Sequence, residues 1–248
     1  MGLKKLSGKV ALVTGSSRGI GRAMAERLSR DGASVVINYV SNSGKAEEVV
    51  AAITSGGGSA VALQADVSNI EGIQRLFDKT LEHFGRLDIL INNAGIRITQ
   101  SVADIQEAEF DQLFAINVKG PFFACQQAAH RISDGGRIIN VSSAVTRMML
   151  PGYSIYAASK AAVDQLTRVL AKEMGGRQIT VNAISPGPVD TALLREGKTE
   201  EQIQQMAQMA AFNRIGKVED IADVISFLAS DDARWITGQI IHVNGGYV

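Results

Sequence analysis

Short apolar segments alternate with amphipathic segments along the whole chain, and this alternation constrains the fold more than any other feature. The apolar segments are too short for one-faced helices, so we predict strands that are buried on both faces. They lie at 9–14, 33–39, 59–66, 87–93, 136–143, 179–186 and 238–245. The amphipathic segments predict helices at 20–31, 43–55, 69–84, 107–132, 154–174 and 218–230. This order predicts an α/β fold, with a single doubly wound parallel sheet of about seven strands and helices on both faces.

The composition argues against several classes of protein. The 25 basic and 25 acidic side chains leave no basic excess, so we expect no nucleic-acid partner. One Cys and three scattered His residues predict neither a disulfide framework nor a metal site. No apolar run approaches the roughly 18–20 residues of a membrane span, so we expect no membrane partner. Without an apolar signal segment at the N-terminus, we expect a cytoplasmic protein. No linker or repeat divides residues 1–248, which we interpret as one domain.

A glycine-rich turn, Thr14 to Gly21, follows the first predicted strand and leads directly into a helix. Its glycines permit a tight turn and a close approach of the backbone to a pyrophosphate, while the helix N-terminus supplies free N–H groups. The spacing is Gly-x-x-x-Gly-x-Gly, and a plain strand-to-helix turn is the alternative. The position between a buried strand and a helix favours a dinucleotide-binding, Rossmann-type site.

The end of the second predicted strand bears on the choice of dinucleotide. An NAD site usually has an acidic residue there, which holds the ribose 2′-hydroxyl. Residues 38–42 read Asn-Tyr-Val-Ser-Asn and contain no carboxylate, whereas Arg18 of the turn can approach the same place. We therefore predict NADP(H), with NAD(H) as the alternative; Arg18 as a solvated surface residue is the competing interpretation.

Tyr156 and Lys160 are four residues apart in a predicted helix and so share one face. A nearby ammonium favours the phenolate, and bringing the tyrosine pKa from about 10 to about 7 takes roughly 4 kcal/mol. The fifth predicted strand ends in Ser142 and Ser143, of which only one can face a given site. A serine hydroxyl beside such a tyrosine can hold a carbonyl oxygen. On spacing alone, a packing tyrosine beside a surface lysine is the simpler interpretation.

Taken together, these motifs resemble the short-chain dehydrogenase/reductase family over essentially the whole chain. The resemblance includes TGSSRGIG at 14–21, Asp66, NNAG at 92–95, Asn117, the serine pair, YAASK at 156–160 and PG at 186–187. It implies that Tyr156 is the general acid, that Lys160 binds the nicotinamide ribose and lowers the tyrosine pKa, and that Ser143 orients the carbonyl oxygen, with Ser142 as the alternative. Asn117 would interrupt its helix and order a water in a proton relay.

The turn, the end of the second strand and the resemblance together predict a set of cofactor-binding residues. Asp66 and Val67 would flank the adenine, Asn93 to Gly95 would line the adenosine ribose, and 186–191 would contact the nicotinamide. The full set is Gly15, Ser17, Arg18, Gly19, Ile20, Gly21, Asn38, Tyr39, Ser41, Asn42, Asp66, Val67, Asn93, Ala94, Gly95, Tyr156, Lys160, Pro186, Gly187, Val189 and Thr191.

On the substrate side, the family keeps a mobile lid where this chain has residues of about 190–215. Ile203, Met206, Met209 and Ala210 can share one helix face there, either covering an apolar substrate or packing on the domain. With Ser143, we expect Met148, Tyr153 and Met206 to line the substrate pocket, and Met149 and Leu150 to face it. The nearest branch resembles 3-oxoacyl-carrier-protein reductases and carbonyl reductases, although Ile96 to Gln100 departs from the Arg-Asp-x-Leu usual there. The family is usually tetrameric, so we expect a homotetramer.

The function implied is NADP(H)-dependent hydride transfer to a small carbonyl compound, either a 3-oxoacyl compound or an apolar ketone. Two alternatives remain. One is an NAD(P)-dependent alcohol or sugar dehydrogenase that works oxidatively, since the same residues serve both directions. The other is a non-catalytic dinucleotide-binding sensor on the same fold.

Overall fold

The protein contains one seven-stranded parallel sheet with the strand order β3-β2-β1-β4-β5-β6-β7. The structure is a computed structural model and describes residues 4–248. The strands are β1 (Val10–Val13), β2 (Ser34–Tyr39), β3 (Ser59–Gln64), β4 (Ile89–Asn92), β5 (Arg137–Val141), β6 (Thr180–Pro186) and β7 (Ile240–Val243). The predicted fold class is confirmed.

Helices connect the strands and cover both faces of the sheet. They are α1 (Gly19–Arg30), α2 (Ser43–Ser55), α3 (Ile70–Phe84), α4 (Glu107–Phe114), α5 (Gly120–Arg131), α6 (Val145–Met148), α7 (Ser154–Glu173), α8 (Ala192–Arg195), α9 (Glu200–Met209) and α10 (Val218–Ala229). Among residues 4–248, none of these helices is long and apolar enough to cross a membrane.

The inner strands are buried on both faces, as expected for a parallel sheet flanked by helices. Every residue of β1, β4, β5 and β6 is buried, whereas the edge strands β3 and β7 are only partly covered. One apolar cluster joins the sheet to α1, α2 and α10, and a second joins it to α3, α5 and α7. The core therefore lies in two layers, and the ends of the strands remain free to carry polar groups.

The helix predicted over 107–132 is continuous in direction but not in hydrogen bonding. A π-helical turn, Ala115–Lys119, separates α4 from α5 and contains Asn117. Such turns insert one extra residue per turn and are frequent at functional sites. The apolar periodicity of the sequence predicts the helix, whereas the wider turn depends on contacts that Asn117 makes elsewhere in the fold.

The strand order reverses between β1 and β4, because β2 and β3 lie to one side of this pair and β5 to β7 to the other. In an open α/β sheet, the crevice at the carboxyl ends of the strands next to this reversal is where ligands bind. The turn after β1 and the segments after β4 and β5 all open into it. The topology thus brings together motifs that are as far apart in the sequence as Gly15 and Tyr156.

Candidate active site

The glycine turn after β1 is packed so closely that side chains are excluded at two positions. Gly15 has φ +62°, and a Cβ there would lie 3.0 Å from Cα of Ala94. A Cβ on Gly21 would lie 2.5 Å from the carbonyl oxygen of Gly15 and 2.6 Å from Nδ2 of Asn93. These glycines allow the turn to close against the end of β4, which leaves its outer backbone open to a ligand.

Side chains of β2 and of the residues just after β1 and β4 hold this turn in place. Asn93 Nδ2 donates to the carbonyl oxygens of Thr14 (2.9 Å) and Gly15 (3.0 Å), and the Thr14 hydroxyl accepts from the N–H groups of Asn93 and Ala94 (3.0 Å each). Asn38 Oδ1 accepts from the N–H of Gly15 at 3.1 Å.

Asn38 therefore differs from its predicted role as a direct cofactor ligand. Its side chain is 1% exposed, and Nδ2 donates to the carbonyl oxygen of Ala65 at 3.0 Å. The amide is enclosed because Asn38 points from β2 into the space under the turn. It can act on a bound dinucleotide only by positioning the turn.

The N-terminus of α1 has the features of a pyrophosphate site. Its N-cap residue, Arg18, makes no side-chain capping bond, and the first turn contains no acidic residue. The first N–H groups of the helix are thus left without a side-chain partner, and the helix dipole favours an anion there. Ser17, Gly19 and Ile20 surround this end, and it fits a dinucleotide phosphate.

Beyond the turn, the residues predicted to bind the adenosine part of the cofactor differ in how accessible their side chains are. Tyr39 is half-buried and Ser41 is exposed, while Asn42 caps α2 by accepting from the N–H of Lys45 at 2.9 Å. Asp66 Oδ1 accepts from the N–H of Ser68 at 2.8 Å.

Val67, predicted to flank the adenine, is 5% exposed, and its side chain belongs to the apolar cluster with α3 and α5. The carbonyl oxygen of Val67 also lies 2.9 Å from where a Cβ on Gly120 would be. The close approach of α5 turns the Val67 side chain inward, so only its backbone remains available to a ligand.

The catalytic candidates converge on a cavity of about 200 Å³ at the carboxyl ends of β4, β5 and β6. The cavity is lined by thirteen of the predicted residues and by Ser142, the predicted alternative to Ser143. The thirteen are Ile20, Asn93, Gly95, Ser143, Met148, Leu150, Tyr153, Tyr156, Lys160, Pro186, Gly187, Val189 and Thr191. Thr191 also lies against the glycine turn, since its Cγ2 is 3.7 Å from where a Cβ on Gly19 would be. The nicotinamide end of a dinucleotide on this turn would reach the same cavity.

The hydroxyl of Tyr156 lies between an apolar wall and two groups that stabilise its ionised form. The pKa of Tyr156 is nevertheless raised above its ordinary value, because burial outweighs the lowering effects of the Ser143 hydroxyl and of the positive charge of Arg97. Lys160 is not among the groups that lower it. The ammonium of Lys160 lies 5.9 Å from the centroid of the Tyr156 ring and donates to the carbonyl oxygen of Val141 at 2.8 Å. The lysine thus faces the ring of the tyrosine, and Ser143 faces its hydroxyl.

Lys160 is almost completely enclosed, with 4% of its surface exposed. Burial lowers the pKa of Lys160 to about 8, and the negative charge of Asp164 opposes that shift. Asp164 follows one helical turn later on α7 and is itself 8% exposed. The ammonium is therefore held at the cavity with a charge that titrates close to neutral pH.

The two adjacent serines follow β5 and both line the cavity, but they have different neighbours. Ser143 approaches the Tyr156 hydroxyl, whereas Ser142 approaches Asp164, whose pKa is raised by burial and lowered to a smaller extent by Ser142. Ser142 is 3% exposed, and its hydroxyl lacks the geometry of an ordinary hydrogen bond to any described group. The structure thus brings Ser143, and not Ser142, to the tyrosine hydroxyl.

Asn117 is fully buried and uses its side-chain amide to hold the segment after β4. Its Oδ1 accepts from the N–H of Ile96, and its Nδ2 donates to the carbonyl oxygen of Ile96, both at 2.9 Å. The second N–H of the amide reaches Ser159 Oγ at 3.2 Å. Both amide protons are therefore used within the protein, whereas Oδ1 accepts one hydrogen bond and has a second lone pair. A Cβ on Gly95 would lie 3.3 Å from Asn117 Oδ1 and 3.5 Å from Lys160 Nζ, which places the amide close to the ammonium.

In the predicted lid, the helical residues that line the cavity belong to α8 and not, as expected, to α9. Leu193 and Leu194 of α8 line it, whereas Met206 of α9 does not. α9 instead ends against the C-terminal segment, where the Tyr247 hydroxyl donates to Met209 Sδ at 3.3 Å. Met149, expected to face the pocket, is 91% exposed, because its backbone turns outward with φ +47°.

Two functional candidates were missed by the sequence reasoning. Arg97 lines the cavity, and nothing in its local pattern points to a pocket. Asp164 lies four residues after Lys160, the same spacing that pairs Lys160 with Tyr156, so helical periodicity could have found it. Among residues 4–248, no group of three His, Cys, Asp or Glu side chains is arranged to hold a metal ion.

The chain is similar to known proteins over nearly its whole length. The family model for enoyl-(acyl carrier protein) reductase matches residues 15–248. A short-chain type dehydrogenase/reductase of Picea abies is 44% identical over 253 residues, which cover 98% of this chain and 93% of that protein. A chloroplastic NADPH-dependent aldehyde reductase-like protein of Arabidopsis thaliana is 43% identical over 257 residues, covering 98% and 95%. The solved structure of the angucycline C-6 ketoreductase LanV with bound NADP is similar with a TM-score of 0.93 at 41% identity, covering 98% of this chain and 96% of that one.

Proposed function

The chain belongs to the short-chain dehydrogenase/reductase family, and on that premise we propose that it is an NADP(H)-dependent carbonyl reductase. The observation that carries this proposal is the convergence of Tyr156, Ser143 and Lys160 on one cavity beside the glycine turn. A proton donor, a hydroxyl for the carbonyl oxygen and a buried cation are the groups that carbonyl reduction requires.

The charges near the predicted position of the adenosine ribose support the choice of NADP(H). Arg18 is exposed at the N-terminus of α1, and no carboxylate lies among residues 38–42 at the end of β2. A 2′-phosphate carries close to two negative charges. Arg18 attracts it, and residues 38–42 contain no carboxylate that would repel it. The NADPH-dependent Arabidopsis relative and the NADP complex of LanV are consistent with this choice.

In the proposed reaction, a bound NADPH would supply the hydride that the carbonyl carbon accepts. Tyr156 donates its hydroxyl proton to the carbonyl oxygen, so that the two products are an alcohol and NADP⁺. Ser143 holds that oxygen beside the tyrosine, and its hydroxyl stabilises the phenolate left behind. Lys160 provides positive charge behind the ring and donors toward the nicotinamide ribose. Solvent returns the proton to Tyr156, and the same residues run the reverse reaction.

The experiment that tests this function compares two tyrosines of the same cavity. Tyr153 and Tyr156 have ring centroids 6.5 Å apart, but only Tyr156 precedes Lys160 by one helical turn. We expect Tyr156→Phe to lose at least about 100-fold in kcat/KM for NADPH-dependent ketone reduction, as is typical for loss of a general acid. NADPH binding, followed by its fluorescence, should persist. Tyr153→Phe should keep most of the activity. Full activity in Tyr156→Phe would contradict the mechanism.

We propose 3-oxoacyl compounds and ketones with apolar bodies as the substrate class, because Met148, Leu150 and Leu194 contribute apolar walls to the cavity. A panel with NADPH that compares 3-oxoacyl thioesters with free ketones separates these two groups. Faster turnover of alcohols with NAD⁺ would favour an oxidative dehydrogenase instead. NADPH binding without turnover of any carbonyl compound would favour a dinucleotide sensor.

We also propose a homotetramer. Phe110 of α4 and Phe122 of α5 are 44% and 49% exposed, which is unusual for large apolar side chains. These two helices carry more apolar residues than the domain core uses. Sedimentation should give a particle of about four chains, and a monomer at micromolar concentration would contradict the proposal.

A further inference from the structure

Arg97 is a charged residue in a cavity that otherwise has apolar walls and the catalytic groups. It lies two residues after Gly95 in the segment that follows β4. Lys160 is the other cation of the cavity, and no Asp or Glu side chain lines it. The charged side chains that line the cavity, Arg97 and Lys160, are therefore both positive, and they favour a negatively charged ligand.

The guanidinium of Arg97 is held at one point and free elsewhere. Nη2 donates to the carbonyl oxygen of Leu193 in α8 at 3.0 Å. A guanidinium has five N–H donors, and this is the one hydrogen bond that Arg97 makes within residues 4–248. No Asp or Glu oxygen of the described chain lies within 4 Å of it. The remaining donors can take a planar oxyanion in a two-point contact.

Hydrogen bonds from Asn117 hold the backbone next to Arg97 in place. Asn117 bonds both the N–H and the carbonyl oxygen of Ile96, the residue immediately before it. The Arg97 side chain thus extends from this held segment to α8, where it contacts Leu193. Arg97 and Tyr156 line the same cavity, and the positive charge of Arg97 is among the groups that lower the pKa of Tyr156. An anion held by Arg97 and a carbonyl group held by Tyr156 would therefore occupy one cavity.

We propose that Arg97 binds the carboxylate of the substrate, so that this enzyme reduces small oxo acids with an apolar body. The inference rests on the proposed reductase function and narrows its substrate class. The guanidinium takes the carboxylate and Tyr156 with Ser143 takes the carbonyl oxygen. The apolar walls of a cavity of about 200 Å³ enclose the remainder. Hydride from NADPH and a proton from Tyr156 convert the oxo acid to a hydroxy acid.

The test compares benzoylformate with methyl benzoylformate, which differ in the negative charge but share the ketone and the ring. In the native enzyme we expect kcat/KM to favour the acid. Arg97→Gln should lower the acid-to-ester ratio by about 10- to 100-fold, the range expected for a hydrogen bond to a charged group. Arg97→Lys should lie between the two. Arg75→Gln, which removes an exposed charge on α3 far from the cavity, serves as the matched control and should leave the ratio unchanged.

Binding of an unreactive anion gives a readout that needs no turnover. Benzoate should bind the NADPH-loaded protein more tightly than benzamide, and Arg97→Gln should abolish that difference while Tyr156→Phe retains it. If Arg97→Gln lowered kcat/KM equally for the acid and the ester, Arg97 would only contact the lid. That result would overturn the proposal and leave the reductase function intact. Arg97-dependent benzoate binding without reduction of either ketone would instead overturn the proposed function and, with it, the oxo-acid substrate.

Discussion

Lys160 and Asp164 are buried one helical turn apart on α7, and the charge of Asp164 raises the pKa that burial of Lys160 lowers. Tyr156 lies one turn earlier, so three ionisable groups follow one stripe of the same helix. The tyrosine faces the cavity, while the aspartate lies behind the lysine near Ser142, Thr146 and His242. The carboxylate does not line the cavity, and it acts as a counter-charge that opposes the lowering of the Lys160 pKa by burial.

The pH dependence of reduction should follow from this pair. The pKa of Lys160 is about 8, so its positive charge is lost as pH rises through that value, and kcat/KM for ketone reduction should fall there. Asp164→Asn removes the group that raises this pKa, so the midpoint of the fall should move to lower pH by about 0.5 to 1 unit. The measurement is kcat/KM against pH from about 6 to 10. Glu173→Gln makes the same charge change at an exposed position of α7 and should leave the midpoint in place; equal shifts in both variants would contradict the argument.

Gly21→Ala should damage the dinucleotide site through sterics. The new Cβ would lie 2.5 Å from the carbonyl oxygen of Gly15, so the turn would have to move. We expect a loss of about 1–3 kcal/mol in the free energy of unfolding and at least about tenfold weaker NADPH binding. Gly44→Ala in α2 is the control, because its nearest neighbour is Asn42 Oδ1 at 3.7 Å. This change should be neutral or stabilise the helix by up to about 1 kcal/mol. Thermal unfolding and NADPH titration of both variants decide the point.

Arg18→Gln should change the preference between the two dinucleotides. Arg18 is exposed and makes no ion pair within residues 4–248, so its removal should cost little stability. If it meets the 2′-phosphate, the Kd for NADPH should rise by about tenfold or more, since the lost contact is charge-assisted. The Kd for NADH should change little. Equal weakening of both dinucleotides would place Arg18 at the shared pyrophosphate instead.

Cys125 should be chemically inert in the folded protein. It is 1% exposed, burial raises its pKa to about 12, and its sulfur accepts from Asn92 Nδ2 at 3.4 Å. Thiolate formation and access are both required for reaction with a disulfide reagent. We expect no labelling over an hour at pH 8 and one thiol labelled per chain after unfolding in guanidinium chloride. Rapid labelling of the native protein would show that this part of the core opens readily.

The alternation of strands and helices, the glycine turn and the spacing of Tyr156 and Lys160 could all be predicted from the sequence. They are local patterns of period, backbone freedom and helical geometry. Ser142 and Ser143 both follow β5 and both line the cavity, and packing against α7 decided that Ser143 meets the tyrosine hydroxyl. The inward turn of Asn38 was likewise decided by contacts with Gly15 and Ala65, which lie 23 and 27 residues away.

The substrate side of the cavity was decided almost entirely by tertiary structure. Arg97 reaches the site because Asn117 holds Ile96, 21 residues earlier, and because α8 approaches from 96 residues further along the chain. Burial and charge depend on which distant segments meet, and no local period encodes that. The sequence therefore specifies the catalytic helix and the phosphate turn, whereas the folded chain specifies which charges surround the substrate.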